Sequence, residues 1–168
     1  SGLVLLAKNP YSSCVLSDAV KDHTIHREYA AIVSGKTDAS GTIDLPIARK
    51  DGSTIERVCD PERGETAVTH YRTFAYNKDA DISFIRLLLE TGRTHQIRVH
   101  MKAIGHPLPG DFLYCPDYRF IDRQPLHSTY LRFSHPVTGE KLEFSASLPE
   151  DMRKLFPDIK NPSGPVFF

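Results

Sequence analysis

The fold of this chain depends most on residues 87–110, which read L-L-L-E-T-G-R-T-H-Q-I-R-V-H-M-K-A-I-G-H-P-L-P-G. Residues 82–89 alternate along an apolar run that is typical of a strand. The pair Thr91-Gly92 breaks this period and predicts a turn. The sequence therefore predicts a strand, a corner and a helix in direct succession.

The residues after the corner predict an amphipathic helix. Thr91 or Thr94 is the expected N-cap, and Gly105 lies where a C′ glycine commonly ends a helix. One face is apolar and the other polar, as the helical period requires. The apolar stripe consists of Ile97, Met101 and Ile104, and the polar face carries His95, Arg98 and Lys102.

Arg93 is the candidate functional residue of the corner. A side chain at a strand-to-helix corner can point away from the core, and the unpaired N–H groups of a helix start lie close by. This arrangement suits an anion such as a phosphate or an ionised carboxylate. A simpler alternative stays open, in which Arg93 caps locally or forms an exposed ion pair with Glu90.

Composition places few constraints on function. The chain has 168 residues, of which 40% are hydrophobic and 25% charged, which is typical of one globular domain. Its 21 basic and 21 acidic residues cancel, so a nucleic-acid site has to be a local patch. The three cysteines are odd in number and far apart, and no apolar run has the length of a membrane span. A cytoplasmic protein is the expectation.

The remaining periodicities predict an α+β fold with many mostly antiparallel strands and few helices. The apolar run Leu3–Ala7 is typical of a buried central strand. Residues 11–21 predict a short helix with Cys14, Val15 and Ala19 facing inward. Further strands are expected at 24–33, 66–76, 126–133 and 141–146, and a short helix at 149–156.

Two segments predict little regular structure. Residues 36–63 are rich in Gly, Asp, Pro and Arg, which predicts a mobile surface loop with one short edge strand at 41–47. Residues 161–168 are expected to form a loosely held tail.

Common catalytic and metal-binding patterns are missing. The eight histidines lack H-x-x-x-H spacing and the cysteines lack C-x-x-C, so no metal site is expected. The chain also lacks a G-x-S-x-G elbow and the glycine-rich phosphate loops. Asp44 and Glu90 are candidates for acid–base chemistry, with solvated turn residues as the simpler alternative.

Residues 89–100 and 105–111, L-E-T-G-R-T-H-Q-I-R-V-H and G-H-P-L-P-G-D, resemble a signature of the RluA-type pseudouridine synthases. The start of the chain, S-G-L-V-L-L-A-K-N, is similar to the end of that family's H-R-L-D-x-x-T-S-G-L motif. Residues 27–35, R-E-Y-A-A-I-V-S-G, resemble its K-x-Y-x-A-x-V-x-G strand. Segments 64–71, 126–127 and 135–140 also fit, in the family's order.

The resemblance implies a catalytic domain with a central cleft that isomerises uridine in rRNA or tRNA, without cofactor or metal. The family's nucleophile is an aspartate, and the target base is flipped out of the RNA. Tyr29 would stack on the uracil and assist proton movement at C5, and Arg93 would pair with the aspartate. Leu89 or Leu87 would form the apolar wall. The implied substrate-binding residues are Leu89, Thr94, His95, Gln96, Arg98 and Lys102.

The resemblance also has departures. The family's aspartate precedes the Ser-Gly with which this chain begins, so residues 1–168 are expected to be an N-terminally truncated catalytic domain that is inactive alone. The alternative is a native RNA-binding module without catalysis. Glu65 stands where the family usually has lysine, and Pro109 interrupts the H-P-x-x-G-D segment. For His95, Arg98 and Lys102, a solvated helix face remains an alternative to phosphate contact, and a monomer is expected.

Overall fold

A computed structural model describes residues 1–159 and 165–167, and its elements follow the predicted order closely. Each strand has the β-branched or alternating pattern that a pleated sheet favours, and each helix is short. The elements are α1 Pro10–Lys21, β1 His26–Ser34, β2 Ser40–Asp44, β3 Ile47–Arg49, β4 Arg57–Cys59, β5 Val68–Asn77, β6 Ile82–Leu89, α2 Gln96–Ala103, β7 Leu126–Ser134, β8 Lys141–Ser145 and α3 Glu150–Leu155.

Six strands form one sheet in the order β2-β5-β6-β1-β7-β8, and all of its neighbouring strands are antiparallel. The predicted α+β class with a mostly antiparallel sheet is therefore confirmed. Strands β1 and β6 lie at the centre, where Tyr29 pairs with Leu87. A second sheet contains only β3 and β4.

Both faces of the central sheet are covered. Ala31, Leu87 and Leu89 pack with Ile97 and Met101 of α2 on one face. The opposite face packs against α3, in a core cluster of Ala30, Ile32, Ile82, Phe84, Ile121, Leu148, Met152 and Phe156. Because both faces are apolar and covered, the two central strands are buried throughout most of their length.

The opposite face also buries an ion pair. Arg86 of β6 donates to Glu28 of β1 at 2.9 Å, and both side chains are inaccessible to solvent. The carboxylate of Glu28 further accepts hydrogen bonds from the amides of Val166 and Phe167. The described part of the predicted loose tail is thus attached to β1, and residues 160–164 and 168 lie outside the described residues.

The prediction of a buried central strand at Leu3–Ala7 is wrong. Only Gly2 forms a bridge, to Ser128, and Val4 and Leu6 are 75% and 79% exposed. The physical reason is that β7, the strand beside this segment, already pairs with β1 on one side and β8 on the other. The apolar composition of residues 3–7 predicted a strand, but β7 has no free edge along which this segment could continue to pair.

Two further predictions need correction. In α1 the predicted inward-facing Cys14 is exposed, because the helix turns its Leu16 side toward β7, and the buried residues are Ser12 and Leu16. Val15 is half-buried, and Ala19 packs against the Leu16 cluster as predicted. Residues 36–63 are not simply a loop, since they contain β3 and β4 as an antiparallel hairpin. Within the described residues, no helix has both the length and the apolar character needed to cross a membrane.

Candidate active site

The corner between β6 and α2 is fixed by one buried side chain, that of Gln96. Its Oε1 accepts hydrogen bonds from the Thr91 hydroxyl at 2.8 Å and from the Arg93 amide at 2.9 Å. Its Nε2 donates to the carbonyl of Val68 and to the hydroxyl of Thr69. Gln96 therefore ties the backbone of Arg93 to β5, with all of its polar atoms engaged.

The helix start differs from the predicted threonine cap. The N-cap is His95, which has a left-handed backbone with φ of 59° and makes no side-chain capping bond. Thr91 instead uses its hydroxyl on Gln96 and on the amide of Val68. Few histidines adopt the left-handed backbone conformation, and non-glycine residues that do so concentrate at functional sites. Gly105 has a positive φ just after the helix, so its predicted C′ position is confirmed.

The side chain of Arg93 leaves the corner toward residues 65–66. Its Nη1 pairs with Glu65 at 2.5 Å, and its Nε donates to the carbonyl of Thr66 at 3.0 Å. The predicted alternative of a local pair with Glu90 is wrong, because Glu90 faces β5 and pairs with His70. The Arg93 side chain remains 40% exposed and therefore accessible to an additional anion.

Tyr29 lies at an irregularity of the sheet. The register between β1 and β7 shifts between Glu28 and Tyr29, leaving Thr129 as an extra residue on β7. Bulges of this kind are frequent beside active sites, where they redirect a side chain. Burial raises the pKa of the Tyr29 phenol, although the nearby Arg27 guanidinium lowers it. Tyr29 is thus a neutral, half-buried ring at neutral pH.

Tyr29 and Arg93 line the same hollow. Its volume is about 230 Å³, and it lies where the end of β6 meets the start of α2. The wall combines an aromatic ring, apolar side chains and guanidinium groups, which suits a planar polar base beside an anion. The lining residues are Tyr29, Leu89, Arg93, His95, Gln96, Ile97, Arg98 and Leu126.

A second cavity adjoins Tyr29 on its other side. Its volume is about 430 Å³, and Arg27 and Leu3 are among its lining residues. Arg27 lies against Gly92, where an added Cβ would come within 3.1 Å of both of its terminal nitrogens. Arg27 was not among the predicted site residues. Its place two residues before Tyr29 on a strand puts both side chains on the same face of the sheet, and this spacing could have indicated it.

Arg98 lies on the helix face that was predicted to be polar, yet it is buried. Its Nε and Nη2 donate to the two carboxylate oxygens of Asp111, each at 2.6 Å. Burial alone would raise the pKa of Asp111, but the Arg98 guanidinium and the amides of Leu113 and Tyr114 together lower it. The interpretation of Arg98 as part of a solvated face is therefore wrong, and its buried guanidinium is held by a bidentate pair with a carboxylate.

The other predicted site residues are divided between the hollow and its surroundings. Leu89 lines the hollow, whereas Leu87 is fully buried in the core. His95 lines the hollow and its Nδ1 is hydrogen-bonded to the Tyr114 hydroxyl; burial lowers its pKa, so the ring is neutral at pH 7. Thr94 and Lys102 are exposed and line neighbouring cavities.

The described residues contain no group of three or more His, Cys, Asp or Glu side chains that would hold a metal ion. What the hollow offers chemically is an aromatic stacking surface, an apolar wall and an accessible guanidinium. Such a set can bind a planar base and orient an anionic group beside it.

Comparisons with known proteins give consistent matches to one family. The family model described as RNA pseudouridylate synthase matches residues 1–103. The chain is 48% identical over 156 residues to the Bacillus subtilis protein "Uncharacterized RNA pseudouridine synthase YjbO", covering 92% of this chain and 54% of that protein. It is 41% identical over 169 residues to the Zymomonas mobilis "Ribosomal large subunit pseudouridine synthase D", covering 93% of this chain and 52% of that protein.

A solved structure shows the same fold. The structure of "Human RNA Pseudouridylate Synthase Domain Containing 1" superposes with a TM-score of 0.71 at 26% identity, covering 90% of this chain and 65% of that chain. The chain spans about half the length of the curated relatives it matches. By the extent of the family match and these identities, the chain belongs to the RNA pseudouridylate synthase family.

Proposed function

We propose that residues 1–168 supply the catalytic domain of an RNA pseudouridine synthase that isomerises uridine within RNA. The observation that carries this proposal is the hollow shared by Tyr29 and Arg93 at the corner between β6 and α2. Membership of the family supports this reaction, and the hollow supplies an aromatic surface for the base beside a guanidinium.

The reaction conserves all atoms of the nucleotide. The glycosidic bond from C1′ to N1 of uracil breaks and a bond from C1′ to C5 forms. C5 loses its proton and N1 gains one, so no oxidant, reductant or metal is required. The base has to leave the RNA stack to reach an enclosed site, and Tyr29 offers a ring on which it can stack.

In this proposal the nucleophile is an aspartate that lies upstream of Ser1, in the family's H-R-L-D motif. Arg93 holds that carboxylate ionised and oriented, since an adjacent guanidinium favours the charged form. Residues 1–168 alone are accordingly inactive. Tyr29 assists proton movement at C5, and Leu89 forms part of the apolar wall.

Gln96 and Arg98 act in this proposal by positioning the site rather than by contacting RNA. Both line the hollow, but the polar atoms of Gln96 are all engaged within the protein, and the buried guanidinium of Arg98 is held in place by Asp111. Thr94 and His95 remain proposed substrate contacts. Lys102 remains a proposed phosphate contact at the periphery, where its ammonium also lies 5.6 Å from the Tyr114 ring.

For the substrate we propose ribosomal RNA, because several relatives are named as synthases of the large ribosomal subunit. Transfer RNA is the second substrate class. We further propose that the enzyme is cytoplasmic and monomeric and works without a cofactor.

The test is to express the full-length protein and to assay total RNA, treated in vitro, for pseudouridine by nucleoside chromatography. The expected result is new pseudouridine in ribosomal RNA with full-length protein and none with residues 1–168. Absence of product from every RNA tested, with RNA binding retained, would support the alternative of a non-catalytic RNA-binding module. The coding sequence upstream of Ser1 provides an independent check, since it should encode His-Arg-Leu-Asp.

A further inference from the structure

A third cavity lies on the far side of Arg93, between the corner and the β3–β4 hairpin. Its volume is about 350 Å³. Arg93 lines both this cavity and the Tyr29 hollow, so the two spaces adjoin the same side chain. The lining residues are Ile47, Ala48, Arg49, Arg57, Arg63, Glu65, Gly92, Arg93 and Thr94.

Two arginines face each other across the hairpin. Arg49 of β3 and Arg57 of β4 are directly paired in the antiparallel register. Like charges opposite each other destabilise a two-stranded sheet, so their pairing needs compensation from outside the hairpin. Within the described residues, Arg49 makes no ion pair and no side-chain hydrogen bond, and the Nη1 of Arg57 donates only to the carbonyls of Ile55 and Glu56.

The hairpin is held rigidly enough to present these charges. The amide of Ile47 donates to the carbonyl of Glu65 at 2.9 Å, and the amide of Glu65 donates back to Ile47 at 2.9 Å. The Tyr114 hydroxyl accepts a hydrogen bond from the amide of Arg57 at 2.9 Å. These hydrogen bonds connect the hairpin to Glu65, which pairs with Arg93, and to Tyr114, whose hydroxyl is bonded to His95 at the start of α2.

The side chains that line this cavity carry more positive than negative charge, although the whole chain is neutral. Four guanidinium groups line this cavity with a single carboxylate, that of Glu65. Arg63 is partly neutralised by Asp51 and Asp60, and Arg93 by Glu65. The uncompensated charge therefore belongs to Arg49 and Arg57, beside the entrance to the Tyr29 hollow.

We propose that this cavity, here called the hairpin groove, binds the phosphodiester backbone of the RNA strand next to the flipped uridine. The inference rests on the proposed function, because it assigns a path to that function's substrate. Arginine pairs at a fixed spacing bind phosphates well, and phosphate contacts fix the register of a nucleic acid on a protein. Arg49 and Arg57 would hold the backbone while the base enters the hollow past Arg93.

The experiment measures binding of a fluorescein-labelled, single-stranded RNA of mixed sequence to the full chain by anisotropy, at several salt concentrations. The variant is the double substitution Arg49→Gln with Arg57→Gln. The single substitution Arg49→Gln is measured as well, in case replacing Arg57 perturbs the structure of the hairpin. Each lost phosphate contact on a single strand lowers the slope of log K against log salt by about 0.7. The double variant should therefore lose about 1.4 in slope and bind about 25-fold more weakly at 0.1 M salt.

The matched control is Arg153→Gln with Lys154→Gln, which removes the same charge from exposed positions of α3 on the opposite face of the sheet. Its slope should equal that of the unmodified protein. An unchanged slope in the hairpin variant, with RNA binding intact, would overturn the hairpin groove but leave the proposed function standing. An equal loss in the control would also overturn it, and absence of RNA binding by the unmodified protein would count against both proposals.

Discussion

At the scale of single residues, the ion pair between Arg98 and Asp111 explains why this corner of the molecule keeps its shape. Both side chains are almost inaccessible, and their two hydrogen bonds are short and parallel. A charge buried in this way is costly when it loses its partner. The pair therefore links α2 firmly to the segment after Gly110.

Substitution of Asp111 by Ala should lower the free energy of unfolding by about 3–5 kcal/mol, because Arg98 is left buried without its carboxylate. Urea denaturation followed by circular dichroism measures this change. The control is Glu150→Ala, which removes an exposed pair with Lys154 and should cost less than about 1 kcal/mol. Equal effects of the two substitutions would contradict the structural role of the buried pair.

At the scale of elements, α2 is attached to the sheet by a chain of hydrogen bonds. Gln96 donates to Thr69, the Thr69 hydroxyl bonds Nδ1 of His100, and Nε2 of His100 lies 2.9 Å from the carbonyl of Leu45. Since a carbonyl can only accept, Nε2 carries the proton, and Nδ1 accepts from the hydroxyl. The helix is thus held to β5 and to the residue after β2 at two successive turns.

Replacing Gln96 by Ala should destabilise the fold by about 2–4 kcal/mol, because the buried groups that it satisfies lose their partners. In the full-length protein we expect turnover to fall while RNA affinity changes little, because the polar atoms of Gln96 are bonded within the protein and hold the backbone of Arg93. Unfolding curves and single-turnover assays measure the two effects. Loss of RNA affinity with turnover retained would show that Gln96 contacts substrate directly.

Burial lowers the pKa of His100. The ring therefore stays neutral to a lower pH in the folded protein than in the unfolded chain. Folded His100 therefore binds fewer protons than unfolded His100, and stability falls as pH drops below the unfolded pKa of about 6.5. His95 and His127, whose pKa values are also lowered, act in the same direction. Unfolding free energies between pH 7.5 and about 5 should decline, and His100→Gln should flatten that decline. An identical decline in the variant would refute the assignment to His100.

At the scale of the whole molecule, the sheet order brings the site together. The central strands β1 and β6 place Tyr29 beside Leu87, and Arg93 follows four residues after the end of β6. Local periodicity in the sequence was enough to predict the strand, the corner and the helix, since each depends on neighbours along the chain. The position of Arg93 at the corner had already marked it as a candidate, and the resemblance of residues 27–35 and 89–100 to family motifs added Tyr29 and a role for Arg93.

Most of the features that sequence reasoning missed depend on partners that are not neighbours in the chain. The helical period places Arg98 on a polar face, and only the structure shows that Asp111 lies against it. Likewise, Arg93 pairs with Glu65 and not with Glu90. The segment Leu3–Ala7 has strand composition, but strand pairing is decided by whether a free edge exists. The β3–β4 hairpin was hidden because its strands are three residues each, too short to show a period.

The role of Arg93 is tested by tritium release from RNA whose uridines carry ³H at C5, because isomerisation removes the hydrogen from C5. Full-length protein and its Arg93→Ala variant are compared, with Arg153→Ala as the control. We expect unmodified protein and control to release tritium at equal rates, and Arg93→Ala to be slower by at least about a hundredfold, because one electrostatic partner of the reacting groups is lost. Release by Arg93→Ala at the unmodified rate would show that Arg93 has no part in the reaction.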